Sequence, residues 1–194
     1  MYSMSNLHIE NLDRVDWKII AELQKDGRVS LVELGRRIGL KHPSVRARLA
    51  KLTSSNVIKV QANLNLRKLG YNVAFVNAEV EDISSLTREV AKLSRCPKVV
   101  FVAVKSGDYN LMFLVAYRDV RELEVFIEKR IRKLPKLKRF SVELDVVIKP
   151  EFIPCDIGAV DPECIKECET CELRQGVISC PGCCVPVFAA EARK

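Results

Sequence analysis

Ser30-Leu31-Val32-Glu33-Leu34-Gly35-Arg36-Arg37-Ile38-Gly39-Leu40-Lys41-His42-Pro43-Ser44-Val45-Arg46-Ala47-Arg48-Leu49-Ala50-Lys51-Leu52 decides the fold of the first third of the chain. Ser30 with Glu33 three residues on reads as a capping box: the serine oxygen accepts the Glu33 amide and the glutamate reaches back. Leu31, Leu34 and Ile38 then share one helical face, and Gly39 closes that helix. Pro43 stands in the first turn of the next helix, where an N–H has no intrahelical partner to lose. Val45, Leu49 and Leu52 form an i, i+4, i+7 stripe facing inward. Ser44, Arg46, Ala47, Arg48 and Lys51 are left outside. Two short amphipathic helices around a tight turn predict a helix-turn-helix.

Upstream, Asp13 is a good N-cap for a helix whose apolar face holds Trp17, Ile19, Ile20 and Leu23. The same reading places Trp17 in the core. Downstream, residues 57–61 and 63–66 read as two strands, the wing of a winged helix-turn-helix. Between Glu33 and Glu79 there is no acidic residue, yet Arg36, Arg37, Lys41, Arg46, Arg48, Lys51, Lys59, Arg67 and Lys68 all lie there. A merely solvated surface intersperses both signs. One sign on this geometry predicts contact with the phosphates of double-stranded DNA. In this docking mode the front half of the helix enters the major groove, so His42, Ser44, Arg46 and Ala47 are nearest to bases. Arg46 is the candidate for a bidentate guanine contact, and Arg48 and Lys51 for phosphates. The full DNA-binding set is His42, Ser44, Val45, Arg46, Arg48 and Lys51.

After Gly70 the pattern alternates. Residues 71–80 read as a strand, 84–96 as a helix, 98–105 as a strand, 106–110 as a turn and 111–117 as a strand. Asp119 then caps a long helix burying Leu123, Phe126, Ile127, Ile131 and Leu134, and residues 140–148 form a last strand alternating Val142, Leu144, Val146 and Ile148. The order βαββαβ is that of a ferredoxin-like α+β sandwich. Two helices cover one sheet face. The other is left bare and apolar, which predicts self-association.

The net charge of +7 over 194 residues is uneven. Residues 66–150 hold seventeen basic and eleven acidic groups, whereas residues 151–194 hold four and eight. That change of sign marks a boundary near Pro150 and gives three segments: 1–66, 67–150 and 151–194. No apolar run is long enough to span a bilayer and no signal peptide is evident, so the expected compartment is the cytoplasm, with no membrane partner. Cys96 reads as a small buried hydrophobe. The other seven cysteines run Cys155-x8-Cys164-x3-Cys168-x2-Cys171-x8-Cys180-x2-Cys183-Cys184. Two Cys-x2-Cys pairs suit a tetrahedral thiolate site for structural zinc, with Cys164, Cys168, Cys171, Cys180, Cys183 and Cys184 as candidate ligands of a metal-stapled tail. The triplet Cys164, Cys168, Cys171 also fits an iron–sulfur cluster, and disulfides are the third reading.

Leu12-Asp13-x-x-Asp16-x-x-Ile19, Leu23-Gln24-x-Asp26-Gly27-Arg28-x-Ser30, Glu33-Leu34, Gly39-Leu40, Val45-x-x-Arg48-Leu49-x-x-Leu52 and Val57-Ile58 resemble the Lrp/AsnC, or feast/famine, family. The resemblance covers about residues 7–150. It implies a winged helix-turn-helix joined to a βαββαβ (RAM) effector domain, homodimers assembled through the sheets and often octamers, and transcriptional control by a small-molecule effector such as an amino acid. It also implies effector contact at the turn of Gly107, Asp108, Tyr109 and Asn110, which composition alone would call a tight turn. Two departures stand out. Lys41-His42-Pro43 replaces the usual Ser or Thr cap of the recognition helix, and Asn110 replaces an aspartate. The cysteine-rich tail is outside the family pattern. Sirohaem decarboxylases are similar in architecture, but the second domain has no histidine, so a regulator rather than an enzyme is expected. An architectural DNA-binding protein is the remaining alternative.

Overall fold

The computed structural model describes residues 12–155 and 170–172. The chain divides into two compact units, residues 1–62 and 63–194.

The first unit is three helices: α1 (Arg14–Lys25), α2 (Leu31–Ile38) and α3 (His42–Ser54). Asp13 caps α1, its Oδ1 accepting from the amides of Val15 at 2.8 Å and Asp16 at 2.9 Å. The Asp16 carboxylate accepts the Asp13 amide in return. Ser30 caps α2 through the Glu33 amide, but only half of the expected box forms: the Glu33 carboxylate turns instead to Arg36 and Arg37. Ile19, Leu34, Val45 and Leu52 make the core, ringed by Leu12, Val15, Ile20, Leu23, Ile38 and Ile58. Trp17 is not part of it and stands 57% exposed. At about 100° per residue it lies a quarter turn from buried Asp16, and Asp16 holds the inward position.

Gly35 sets the spacing of the helix-turn-helix. Its carbonyl accepts the Leu40 amide at 2.8 Å, and a Cβ there would sit 2.5 Å from the Leu40 carbonyl oxygen. Asn56, at φ 57°, ends α3 in the left-handed conformation. The expected wing strands are absent: residues 57–63 form no strand. Leu64 makes an isolated bridge instead, exchanging backbone hydrogen bonds of 2.9 Å each way with Ile153.

The second unit runs β1 (Asn72–Val80), a 3-10 turn (Ser84–Leu86) leading into α4 (Thr87–Ser94), β2 (Val99–Val104) and β3 (Leu111–Tyr117). α5 (Val120–Phe126) then continues as a π-helical turn (Ile127–Ile131) before β4 (Leu137–Asp145). The sheet order is β2-β3-β1-β4, with every neighbour antiparallel, the arrangement of the ferredoxin-like sandwich. Ala74, Val76, Ala78, Leu111, Phe113 and Val115 pack against Leu93, Leu123, Phe126 and Ile131 of the helices. Glu122 is buried at the head of α5 and is matched by Lys98 Nζ at 2.5 Å and Arg118 Nη2 at 2.9 Å. The Glu122 carboxylate is tolerable there because it accepts from the Arg118 amide and guanidinium and faces the Lys98 ammonium as an ion pair.

β4 starts and ends three residues earlier than the sequence pattern predicts. Leu137 pairs with Val80 at one end of β1, and Asp145 meets Val73 at the other, where β1 extends only one residue further, to Asn72, so residues 146–148 run past their partner. Leu144, Val146 and Ile148 are accordingly 64%, 74% and 90% exposed. The face away from the helices is not bare along its whole length. At its Val73 end, Leu66 and Ile153, with Leu64, Tyr71 and Val147, cover Val73, Leu114 and Ala116.

Replacing Gly35 by alanine sets two effects against each other. Helix propensity favours alanine by about 1 kcal/mol, while forcing a carbon onto backbone costs about 1–3 kcal/mol in a packed turn. The contact at 2.5 Å decides for the second, so Gly35→Ala is expected to lower the unfolding free energy in a urea titration.

Candidate nucleic-acid interface and effector turn

Along α3, His42, Ser44, Arg46, Ala47, Ala50 and Lys51 are exposed. Opposite the inward Val45 and Leu52, the helical repeat puts Pro43, Ala47, Ala50 and Ser54 at the centre of the outer face. Arg46 rises on one flank of that strip, Ser44 and Lys51 on the other. The small centre, and Ala50 in it, escapes a search for polar and charged residues, although a helical projection of the sequence contains it. Val45 does not belong in the DNA-binding set. It is 0% exposed beneath the helix, since the same stripe that fills the core fixes its direction.

Arg48 also departs from its expected role. Its Nη1 donates to Asp13 Oδ2 and Asp16 Oδ1, both at 2.7 Å, so its charge is answered inside the chain rather than offered to a phosphate. These bonds to Asp16 and then Asp13 raise the Arg48 pKa further. The Asp13 carboxyl is held below its ordinary value by the Asp16 amide first and Arg48 second. Arg36 and Arg37 are likewise engaged. Both grip Glu33 and hold its carboxyl down at about 2, and Arg37 also reaches Glu22 at 3.0 Å. The one-sign field of the sequence is therefore thinner in space than on paper. Among the described residues Lys41, Arg46 and Lys59 have no ion-pair partner, and the first turn of α3 contains no acid, so the positive end of the helix dipole is unopposed.

In the second unit the expected effector turn is well formed. Gly107 adopts φ +114°, a value that L side chains avoid. Asn110 is not available to a ligand. Its Oδ1 accepts the Val80 amide at 3.0 Å and its Nδ2 donates to the Val80 carbonyl at 2.7 Å. An aspartate could make only the first of these bonds, and the end of β1 needs both because its pairing with β4 is irregular there. Tyr109 lies under the Arg139 guanidinium, 5.0 Å from carbon to ring centroid. Arg139 is anchored by Glu79 at 2.7 Å and comes within 4.0 Å of exposed Asp108. On the same sheet face Lys105 Nζ donates to Asn77 Oδ1, and Asn77 Nδ2 donates to Glu143, each at 3.1 Å. The sequence reading missed Arg139, Lys105, Asn77 and Glu143. Their signal is period two: Arg139, Ser141 and Glu143 alternate on β4 opposite Glu79, Asn77 and Phe75 on β1.

Of the candidate metal ligands, Cys171 is described and half-buried. Cys164, Cys168, Cys180, Cys183 and Cys184 lie outside the described residues. Among the described residues no cluster of His, Cys, Asp or Glu is arranged to hold a metal ion, and no helix is long and apolar enough to cross a membrane.

Arg48→Ala removes two charge-assisted bonds and leaves the buried Asp16 carboxylate under-satisfied, a loss of about 1–3 kcal/mol. The expected result is a lower melting temperature with an unchanged salt dependence of DNA binding. A residue that neutralised a phosphate would instead lower the logarithmic salt slope by about one.

Both units match known domains in the observed order. Residues 12–53 match the AsnC-type helix-turn-helix domain and residues 73–147 the Lrp/AsnC ligand binding domain. The HTH-type transcriptional regulator PH0140 of Pyrococcus horikoshii is 33% identical over 140 residues, covering 71% of this chain and 88% of that protein. The crystal structure of the leucine response regulatory protein LrpA of Mycobacterium tuberculosis superposes with a TM-score of 0.63 at 30% identity, over 74% of this chain and all of that one. The regulator NMB0573 of Neisseria meningitidis, solved as an L-Met complex, has a TM-score of 0.62 at 19% identity, over 71% and 92% of the two chains, and shares the fold. The relatives are regulators rather than enzymes, and the chain belongs to the Lrp/AsnC family of DNA-binding transcriptional regulators.

Proposed function

We propose that the protein works in the cytoplasm as a homodimer that sets two α3 helices into neighbouring major grooves of a pseudo-palindromic operator, and that a small-molecule effector tunes this binding. The outer face of α3 carries the reading. Its centre of Pro43, Ala47 and Ala50 is small enough for close approach, and alanine methyls suit contact with thymine methyl groups. Arg46, exposed and without an internal partner, is the side chain suited to a guanine, with His42 and Ser44 beside it. Lys41, Lys51 and Lys59 supply cationic charge for phosphates.

Dimerisation is supported by the apolar residues left exposed on the second unit, Leu144, Val146, Ile148 and Phe101. A second copy would cover them. The L-Met complex of NMB0573 supports an amino acid as effector, with Tyr109, Asp108 and the Arg139–Glu79 pair as the contacts at the turn. A coupling of about 1–3 kcal/mol between effector and operator would change occupancy roughly five- to 150-fold. The cysteine-rich tail is read as a closed zinc site, on the strength of its two Cys-x2-Cys pairs. Iron–sulfur is the alternative.

Arg46→Ala is expected to weaken binding to the selected operator by about 1–3 kcal/mol and to relax preference at one base position, with the melting temperature unmoved. Operator selection from a random pool supplies the test sequence. Equal affinity of wild type and variant for every operator would reject the role of Arg46, and a pool with no enriched motif would favour the architectural reading. Metal analysis of anaerobically purified protein should find about one zinc per chain in a colourless sample. A brown sample containing iron would reassign the tail, and absence of both metals would remove the metal reading.

A further inference from the structure

Beneath the segment that covers the Val73 end of the sheet there is a cavity of about 160 Å³. Leu66, Val73, Val147 and Ile153 give it apolar walls, and Tyr71 and Asp145 also line it. It lies at the other end of β1 from the 107–110 turn, since Val73 and Val80 are seven residues apart, roughly 23 Å at about 3.3 Å per residue. The two segments that roof it are joined by the paired backbone bonds of Leu64 and Ile153 and by Asn65 Nδ2 donating to Glu151 Oε1 at 2.8 Å.

Asp145 Oδ2 is buried and has no hydrogen-bond partner. Burying a carboxylate oxygen in that condition is unfavourable even where the residue as a whole is half-buried, as Asp145 is. The groups of formal charge lining the cavity are Asp145, Glu151 and Arg67, two anions against one cation. A donor with positive charge would relieve the imbalance and the unmet oxygen together. A cavity of roughly 150 Å³ is large enough for a guest of benzene size, and apolar walls select an aliphatic body over a hydrated ion.

We propose that this cavity is a second ligand site, separate from the turn at Gly107, that takes a small primary ammonium compound with a short branched aliphatic body, the ammonium donating to Asp145. The ammonium could come from a simple amine or from an α-amino acid, and Arg67 distinguishes them, because it is the one cationic residue of the lining that could answer a carboxylate. The inference concerns the second unit alone and stands apart from how α3 meets DNA.

The test is calorimetric titration of the full chain, without DNA, with isobutylamine, isobutanol, isobutyric acid and L-valine. Isobutylamine should bind, isobutanol and isobutyric acid at least tenfold more weakly, and Asp145→Asn should lose at least tenfold of the amine affinity. L-Valine exceeding isobutylamine, with the excess lost in Arg67→Ala, assigns the site to an amino acid. Equal binding of the two assigns it to an amine, and either result supports an ammonium site. Absence of binding by both ammonium probes, or an alcohol or acid binding as well as the amine, overturns the proposal. The wild-type comparison of amine with alcohol holds even if Asp145→Asn fails to fold, and a failed titration leaves operator binding untouched.

Discussion

The contact on which the outer face of α3 depends is the pair of hydrogen bonds from Arg48 Nη1 to Asp13 and Asp16. It joins the inner flank of α3 to the start of α1, across more than thirty residues of sequence. Asp16 is buried, so the ion pair is partly desolvated and geometrically demanding. Once the guanidinium is held, the rotation of α3 about its own axis is held too. Val45 and Leu52 then face the core, and Pro43, Ala47 and Ala50 face out. Arg48 thereby sets the direction of the face on whose flank Arg46 stands exposed. Gly35 performs the companion task by letting the turn before α3 close against α2.

Periodicity conveyed the helices of both units and the order of the second unit because local spacing alone decides them. Leu34, Val45 and Leu52, or Leu123 and Phe126, bury where their spacing says they should. The failures share a different cause. Whether Arg48 touches phosphate or Asp16, and whether Leu64 pairs in a wing or with Ile153, depends on what arrives from far along the chain. Trp17 was misplaced because a hydrophobic residue beside an apolar stripe is indistinguishable from a member of it until Asp16 is seen to hold the inward position. The end of β4 followed the length of β1, its partner, and not the alternation of Leu144, Val146 and Ile148. At the candidate DNA interface, residue types were legible and their availability was not, since charge counted along a sequence ignores Glu22 and Glu33 folding over Arg36 and Arg37.

Asn110 illustrates how a departure from a family pattern acquires a physical reason. As a ligand residue, an amide in place of a carboxylate is a loss. As a clamp, it is a gain, because the end of β1 presents one donor and one acceptor and only an amide answers both. With Asn110 committed to the backbone, the side chains left at that turn include Tyr109 and Arg139, whose stacking is a contact of modest strength. The opposite end of the sheet, where Asp145 has an unmet oxygen, has the stronger polar demand.

The rung between Leu64 and Ile153 brings two stretches far apart in sequence side by side at the start of the second unit. Its two backbone bonds, with Asn65 donating to Glu151, stitch those two stretches together. Any shift of Ile153 is therefore felt at once by Leu64, and through their shared apolar cluster by Val73, Leu114 and Ala116 of the sheet.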